Sequence, residues 1–184
     1  MQFDDKTKMI KTEKDGYFHE GECYQKHLEH RTFIEKENEE WDELYRYVKQ
    51  LHGYPDGIPL PTMPVARLKA LREGYDIIGG KREKKKWKQG ATFSLMLAAY
   101  KLKEKDIKWF IHNVLNDQCD AASISKCITL MLKGLGEAWR LEQKKKEKEV
   151  EKEKVLSEVK KEELIFKEIK YKKKTDDMDI SDLL

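Results

Sequence analysis

Between Arg140 and Lys174 the chain is dominated by lysine and glutamate, and this run limits what the rest can fold into. A segment so charged buries too little apolar surface to offset the entropy of ordering it. The large apolar residues are clumped instead between Tyr17 and Trp139, where a core must form. With 184 residues, the chain has room for one domain plus an appendage. The expected organisation is a flexible N-terminus (1–16), a helical core domain (17–140), a charged helical extension (141–174) and an acidic-hydrophobic tail (175–184).

Periodicity predicts an all-α fold, an irregular bundle of four or five helices followed by a long charged C-terminal helix and a disordered acidic tip. From about Gly21 to Leu51, Ile34, Trp41 and Val48 recur at intervals of seven, with Leu44 and Leu51 between and beside them. Leu28 and Tyr45 widen that stripe. The run His52 to Pro61 holds three prolines and two glycines, which enforce an extended loop. Thr62 and Pro64 open a second helix with Val65, Leu68, Leu71, Tyr75 and Ile78 on its buried face, and Gly79-Gly80 ends it. Further helices are expected from about Thr92 to Leu102, around Ile107 to Leu115, and from about Ala121 through Trp139. Gly134 and Gly136 in the last permit a bend or a close helix contact. No period-two pattern persists, so no strand is expected.

In the extension, like charges at i,i+4 (Glu147–Glu151, Lys144–Lys148) compete with favourable pairs such as Glu163–Lys167. Its helix therefore depends on apolar positions. A heptad seam through Val155, Val159, Phe166 and Ile169 would include Glu162, which argues for docking rather than a clean coiled coil.

Cys23, Cys119 and Cys127 are odd in number and lack CxxC spacing, as expected of reduced thiols in a cytoplasmic protein. The first residues, Met1-Gln2-Phe3-Asp4-Asp5, hold no apolar h-region, so no signal peptide is expected. The longest apolar stretch, Phe93 to Tyr100, is too short to span a bilayer, and no membrane partner is expected.

The net charge of +3 hides a division. Residues 61–105 carry 12 basic and 4 acidic side chains, whereas residues 1–60 carry 9 and 14. The densest cationic run is Lys81, Arg82, Lys84, Lys85, Lys86 and Lys88, with Trp87 among them and Arg67, Lys69 and Arg72 upstream. Cations neutralise phosphates and release counterions, and an exposed indole offers a face on which an unpaired base stacks. Lys81, Arg82, Lys84, Lys85, Lys86, Trp87, Lys88, Arg67 and Arg72 are thus the candidate nucleic-acid surface, with single-stranded DNA the favoured partner. The competing reading is a solvated loop whose Trp87 plugs into the core.

After Lys170 to Lys174 the charge switches abruptly to Asp179-Ile180-Ser181-Asp182-Leu183-Leu184. Carboxylates mixed with hydrophobes suit a peptide whose apolar end enters a pocket while its acids meet a basic rim. These residues resemble the acidic tip of Gram-positive single-stranded-DNA-binding proteins, which reads Asp-Ile-Ser-Asp before Leu-Pro-Phe; here Leu184 stands in place of Pro-Phe. The resemblance implies recruitment of a replication or recombination protein. It covers about ten residues, and the body resembles no such β-barrel.

Three further patterns compete with ordinary surface. Glu40 and Glu43, with Glu73 and Asp76, resemble the Mg²⁺-binding carboxylates of all-α nucleotide pyrophosphatases. His19, Cys23, His27 and His30 fall on one face of a continuous helix, where a subset of them could ligate zinc. Leu95 to Val114 has helix-turn-helix spacing without the usual turn glycine. None outweighs its bland alternative, so no cofactor, metal or catalytic residue is assigned. The sequence reads as a non-enzymatic accessory protein of DNA replication or recombination, of a phage or mobile-element type. A protein-binding module or inhibitor of a host protein is the alternative, and a pyrophosphatase a further one.

Overall fold

The computed structural model describes residues 8–12, 15–85 and 90–176, with side chains of the last helix described through residue 160. Among the described residues are five helices and two small antiparallel sheets. In chain order they are β1 (Met9–Thr12), β2 (Gly16–His19), α1 (Glu22–Leu51), α2 (Thr62–Arg72), β3 (Tyr75–Ile78), β4 (Lys81–Lys84), α3 (Phe93–Leu102), α4 (Glu104–Asn113) and α5 (Ala121–Asp176). The chain divides into two compact units, Met1–Leu135 and Gly136–Leu184. Among the described residues, no helix is long and apolar enough to cross a membrane.

The first unit holds the core. Leu44 and Val48 of α1, Leu68 and Leu71 of α2, Met96, Ala99 and Tyr100 of α3, Ile107 of α4, and Ile124, Ile128 and Met131 of α5 are fully buried. Their spacings of three, four and seven put them on one stripe of each helix, as expected. Thr92 caps α3, its side-chain oxygen accepting from Leu95 N at 3.2 Å. The proline loop is pinned at both ends: Tyr45 Oη accepts from Leu60 N at 2.8 Å, and the Tyr54 hydroxyl donates to the Cys119 carbonyl. Gly134 marks a close contact, because a Cβ there would lie 2.9 Å from Lys103 Cγ and 3.3 Å from the Ala99 carbonyl oxygen.

The expectation of a strand-free fold is corrected twice. Gly74, at φ +85°, ends α2 immediately after Arg72 and Glu73. Tyr75 and Ile78 therefore lie in β3, not on α2. Gly79 and Gly80, at φ +57° and +79°, form the two-residue turn to β4 rather than a helix stop. Two successive positive-φ residues match the twist that a tight hairpin needs, and glycine adopts them without a Cβ clash. The second correction is β1 and β2, a hairpin ahead of α1 where no strand was expected. The apolar stripe of α1 also buries less than its pattern suggests: Leu28 and Ile34 are exposed, Trp41, Tyr45 and Leu51 are half-buried, and of α1 only Leu44 and Val48 are fully buried.

The second unit, described by itself, is the remainder of α5. Trp139, Leu141, Val150, Val155, Leu156 and Val159 are exposed along it, and Lys146 pairs with Glu142 at 2.8 Å.

Candidate nucleic-acid interface

The β3–β4 hairpin carries the first half of the basic run, and its register decides which side chains act together. Tyr75 pairs with Lys84, Asp76 with Glu83, Ile77 with Arg82 and Ile78 with Lys81. Cross-strand partners share a face, and faces alternate along each strand. Tyr75, Ile77, Arg82 and Lys84 thus share one side. All four residues of β4 are exposed. The Arg82 guanidinium lies 4.4 Å from the Tyr75 ring centroid and also pairs with Glu73. This face joins an aromatic ring to two cations.

On the opposite face, one residue reaches the interior. Asp76 is 1% exposed. Its Oδ1 accepts from Arg67 Nε at 2.7 Å and from Ile77 N at 2.8 Å, and its Oδ2 accepts from Arg67 Nη2 at 3.2 Å. Lys85 Nζ lies 3.1 Å from Oδ2. Arg67 Nη1 reaches Ser125 O at 2.6 Å and Thr129 Oγ1 at 3.1 Å on α5. Burial alone would raise the Asp76 carboxyl, but hydrogen bonds from Arg67 and Lys85, with their charges, hold it below the ordinary range. One buried carboxylate thus ties the hairpin to α2 and α5.

Arg67 stands apart from the exposed cations expected to form the nucleic-acid surface: it is 7% exposed, and four of its five N–H groups donate to Asp76, Ser125 and Thr129. Arg72 is half-buried, with Nε 2.6 Å from Glu37 Oε1. Lys85 and Arg82 are exposed to different degrees but hold acidic partners. Lys81 and Lys84 have no ion pair among the described residues. Lys86, Trp87 and Lys88 lie outside the described residues, but both flanks of their segment are fixed. Lys85 N donates to Gly74 O at 3.0 Å, and Ala91 N donates to Leu71 O at 3.2 Å. Gly90 presses on the end of α2, where a Cβ would overlap the Arg72 carbonyl oxygen.

Beside these anchors lies an open cleft of about 460 Å³ lined by residues including Trp41, Lys69, Arg72 and Phe93. Trp41 and Phe93 have ring centroids 5.0 Å apart, and Lys69 Nζ lies 5.1 Å from the Trp41 centroid. Sequence reasoning missed Tyr75 as a half-buried aromatic of the hairpin, lying under Arg82, and missed this cleft. The Gly79-Gly80 turn could have signalled the first; the second needs the packing of three helices.

The other candidate clusters do not assemble. Glu40 accepts from Ser94 N at 3.4 Å, Glu43 lies 3.6 Å from Lys101 Nζ, Glu73 pairs with Arg82, and Asp76 is neutralised in the interior. The pyrophosphatase-like reading needs these four to converge, and the helix break at Gly74 separates the last two. His19 sits in β2 rather than on α1, Cys23 is exposed, and His27 stacks on Phe18 at 4.0 Å with Nε2 3.2 Å from Asp15. His30 is exposed as well. Among the described residues, no group of three or more histidine, cysteine or acidic side chains is placed to hold a metal ion. In the helix-turn-helix candidate, Ile107 and Ile111 of α4 are buried in the core. The tail Asp179, Ile180, Ser181, Asp182, Leu183 and Leu184 lies outside the described residues.

No curated protein and no solved structure matches the chain. The profile of one family, described as SPbeta prophage protein YorH, matches residues 2–182. That match spans the helical body, both hairpins, the charged extension and most of the tail, so the chain belongs to the family of SPbeta prophage protein YorH.

Proposed function

We propose that this phage-family protein is an accessory factor that binds single-stranded nucleic acid along the outward face of the β3–β4 hairpin. The observation that supports it is the register, which joins Tyr75, Arg82 and Lys84 on one side of an exposed strand. Cations that track a backbone beside a ring that stacks a base are the parts single-strand binding needs. Lys81 adds charge at the turn, and Lys86, Trp87 and Lys88 extend the basic sequence from Lys85, whose N–H is bonded to Gly74 just past α2. On this reading Asp179 to Leu184 recruits a replication or recombination protein, and no chemistry is performed. Anisotropy titrations with labelled single-stranded DNA, duplex DNA and RNA test it. Single strands should bind most tightly, and affinity should fall steeply between about 50 and 200 mM salt. Absence of binding at low salt would remove the reading.

A second reading, a protein-binding module, is favoured by one observation. Leu28, Phe33 and Ile34 stand exposed on α1 in the acidic first third of the chain. At about 100° per residue the three point in different directions around α1, so a partner would have to take them as separate anchors rather than as one patch. Replacing all three with serine should abolish capture of a host protein and leave nucleic-acid affinity unchanged.

A further inference from the structure

The α4 helix presents Trp109 at 62% exposure, although its neighbours Ile107 and Ile111 are buried. Beside it lies a cleft of about 370 Å³ lined by Lys103, Asp106, Trp109, Phe110, Leu130 and Lys133. Phe110 and Leu130 are half-buried and form an apolar floor. Lys103 and Lys133 supply two cations to its lining. The stem of Lys103 packs on Gly134, whose missing side chain leaves room for it. Lys103 Nζ lies 3.7 Å from Asp106, while no carboxylate pairs with Lys133 among the described residues.

An exposed indole beside an apolar floor and two lysines asks for a ligand that is apolar and anionic at once. Residues 177–184 have that chemistry: Asp177, Asp179 and Asp182 are interspersed with Met178, Ile180, Leu183 and Leu184. Three acids and four large hydrophobes within eight residues combine both characters in one short segment. A peptide of this chemistry can place hydrophobes on an apolar floor while its acids meet lysines at the rim. A nucleic acid fits less well. Asp106 places a carboxylate on the rim, and two lysines are few for a phosphate backbone.

We propose that the Lys103–Trp109–Lys133 cleft binds the acidic-hydrophobic segment 177–184 of a second copy of this chain. The segment is then withheld from any other partner until it is released. This is independent of the hairpin reading, since it uses none of the hairpin's residues.

The test is an anisotropy titration of the full chain into a fluorescein-labelled peptide of residues 177–184, paired with sedimentation velocity of the full chain. Saturable binding that weakens with salt is expected. Trp109→Ala and Lys133→Glu should each weaken it at least about tenfold, the size of effect seen when an interface anchor is truncated. Circular dichroism and melting temperature, measured on both variants, should not change. Excess free peptide should lower the association of the full chain. Three results would overturn the proposal: peptide affinity indifferent to Trp109→Ala and Lys133→Glu; self-association that excess peptide leaves unchanged; or reduced single-stranded DNA affinity in Trp109→Ala with peptide affinity intact. The last would reassign the cleft to nucleic acid.

Discussion

The two hairpins of this chain have the same length, four residues per strand, and the same antiparallel pairing. They differ in what lies beneath them. In β1–β2 no residue is fully buried, and the neighbouring ion pairs are partly exposed: Asp15 with His27 at 3.2 Å and with Arg31 at 3.6 Å. In β3–β4, Asp76 is drawn into the interior and held by Arg67, which is itself bound to α5. An isolated two-stranded hairpin is marginal in water. The first hairpin is therefore an ornament on α1, and the second is a platform built into the fold. A basic strand on a fixed platform can present cations in a set geometry, which a frayed one cannot.

The strongest way to break that contrast is Asp76→Ala. It leaves the Arg67 guanidinium buried without its carboxylate, which should cost about 3–5 kcal/mol in denaturant unfolding. The matching change in the first hairpin, Asp15→Ala, should cost no more than about 1 kcal/mol because its partners are partly exposed. Equal losses at the two sites would end the distinction.

Acid sharpens it next. Asp76 titrates below its ordinary value in the folded state, so its contribution is present above about pH 4 and is lost as pH falls further. His52 acts earlier on the same limb. Its ring is buried, neither nitrogen has a hydrogen-bond partner, and burial lowers it to about 4. The unfolded chain therefore takes up that proton first, and stability should fall by on the order of 3 kcal/mol between about pH 6.5 and 4. His52→Leu should flatten that part of the profile and leave the loss below about pH 4, to which Asp76 contributes.

A smaller effect concerns the outward face. Tyr75→Ala removes the ring beneath Arg82 and should weaken single-stranded DNA binding by about 1–3 kcal/mol, the range for one base stacked on an aromatic side chain. Tyr17, the exposed aromatic of the first hairpin, is the control. Tyr17→Ala should leave DNA affinity unchanged in the same titration.

The helical core was readable from the sequence because its apolar spacing is long-ranged. Leu44 and Val48, Leu68 and Leu71, and Ile124, Ile128 and Met131 are buried where their periodicity puts them. The hairpins were not readable, because four residues are too few to establish a period of two. Tyr75 and Ile78 also continue the helical spacing of Leu68 and Leu71, so only Gly74 and the Gly79-Gly80 turn argued otherwise. The same error carried into the site. Arg67 counted as a surface cation until the hairpin turned Asp76 back against it, across nine residues of sequence. Lys81, Arg82 and Lys84 stand exposed on β4, but their grouping with Tyr75 follows from register, which composition does not contain.

The most direct measurement is a parallel titration of single-stranded DNA with the wild-type chain, Lys84→Glu in β4 and Lys11→Glu in β1, across about 50–200 mM salt. Each variant reverses one exposed lysine on one hairpin. If the β3–β4 face is the interface, Lys84→Glu weakens binding and lowers the salt slope by about 0.7 for each single-strand phosphate that is no longer neutralised, while Lys11→Glu matches wild type. Equal weakening by both variants, or by neither, would contradict it.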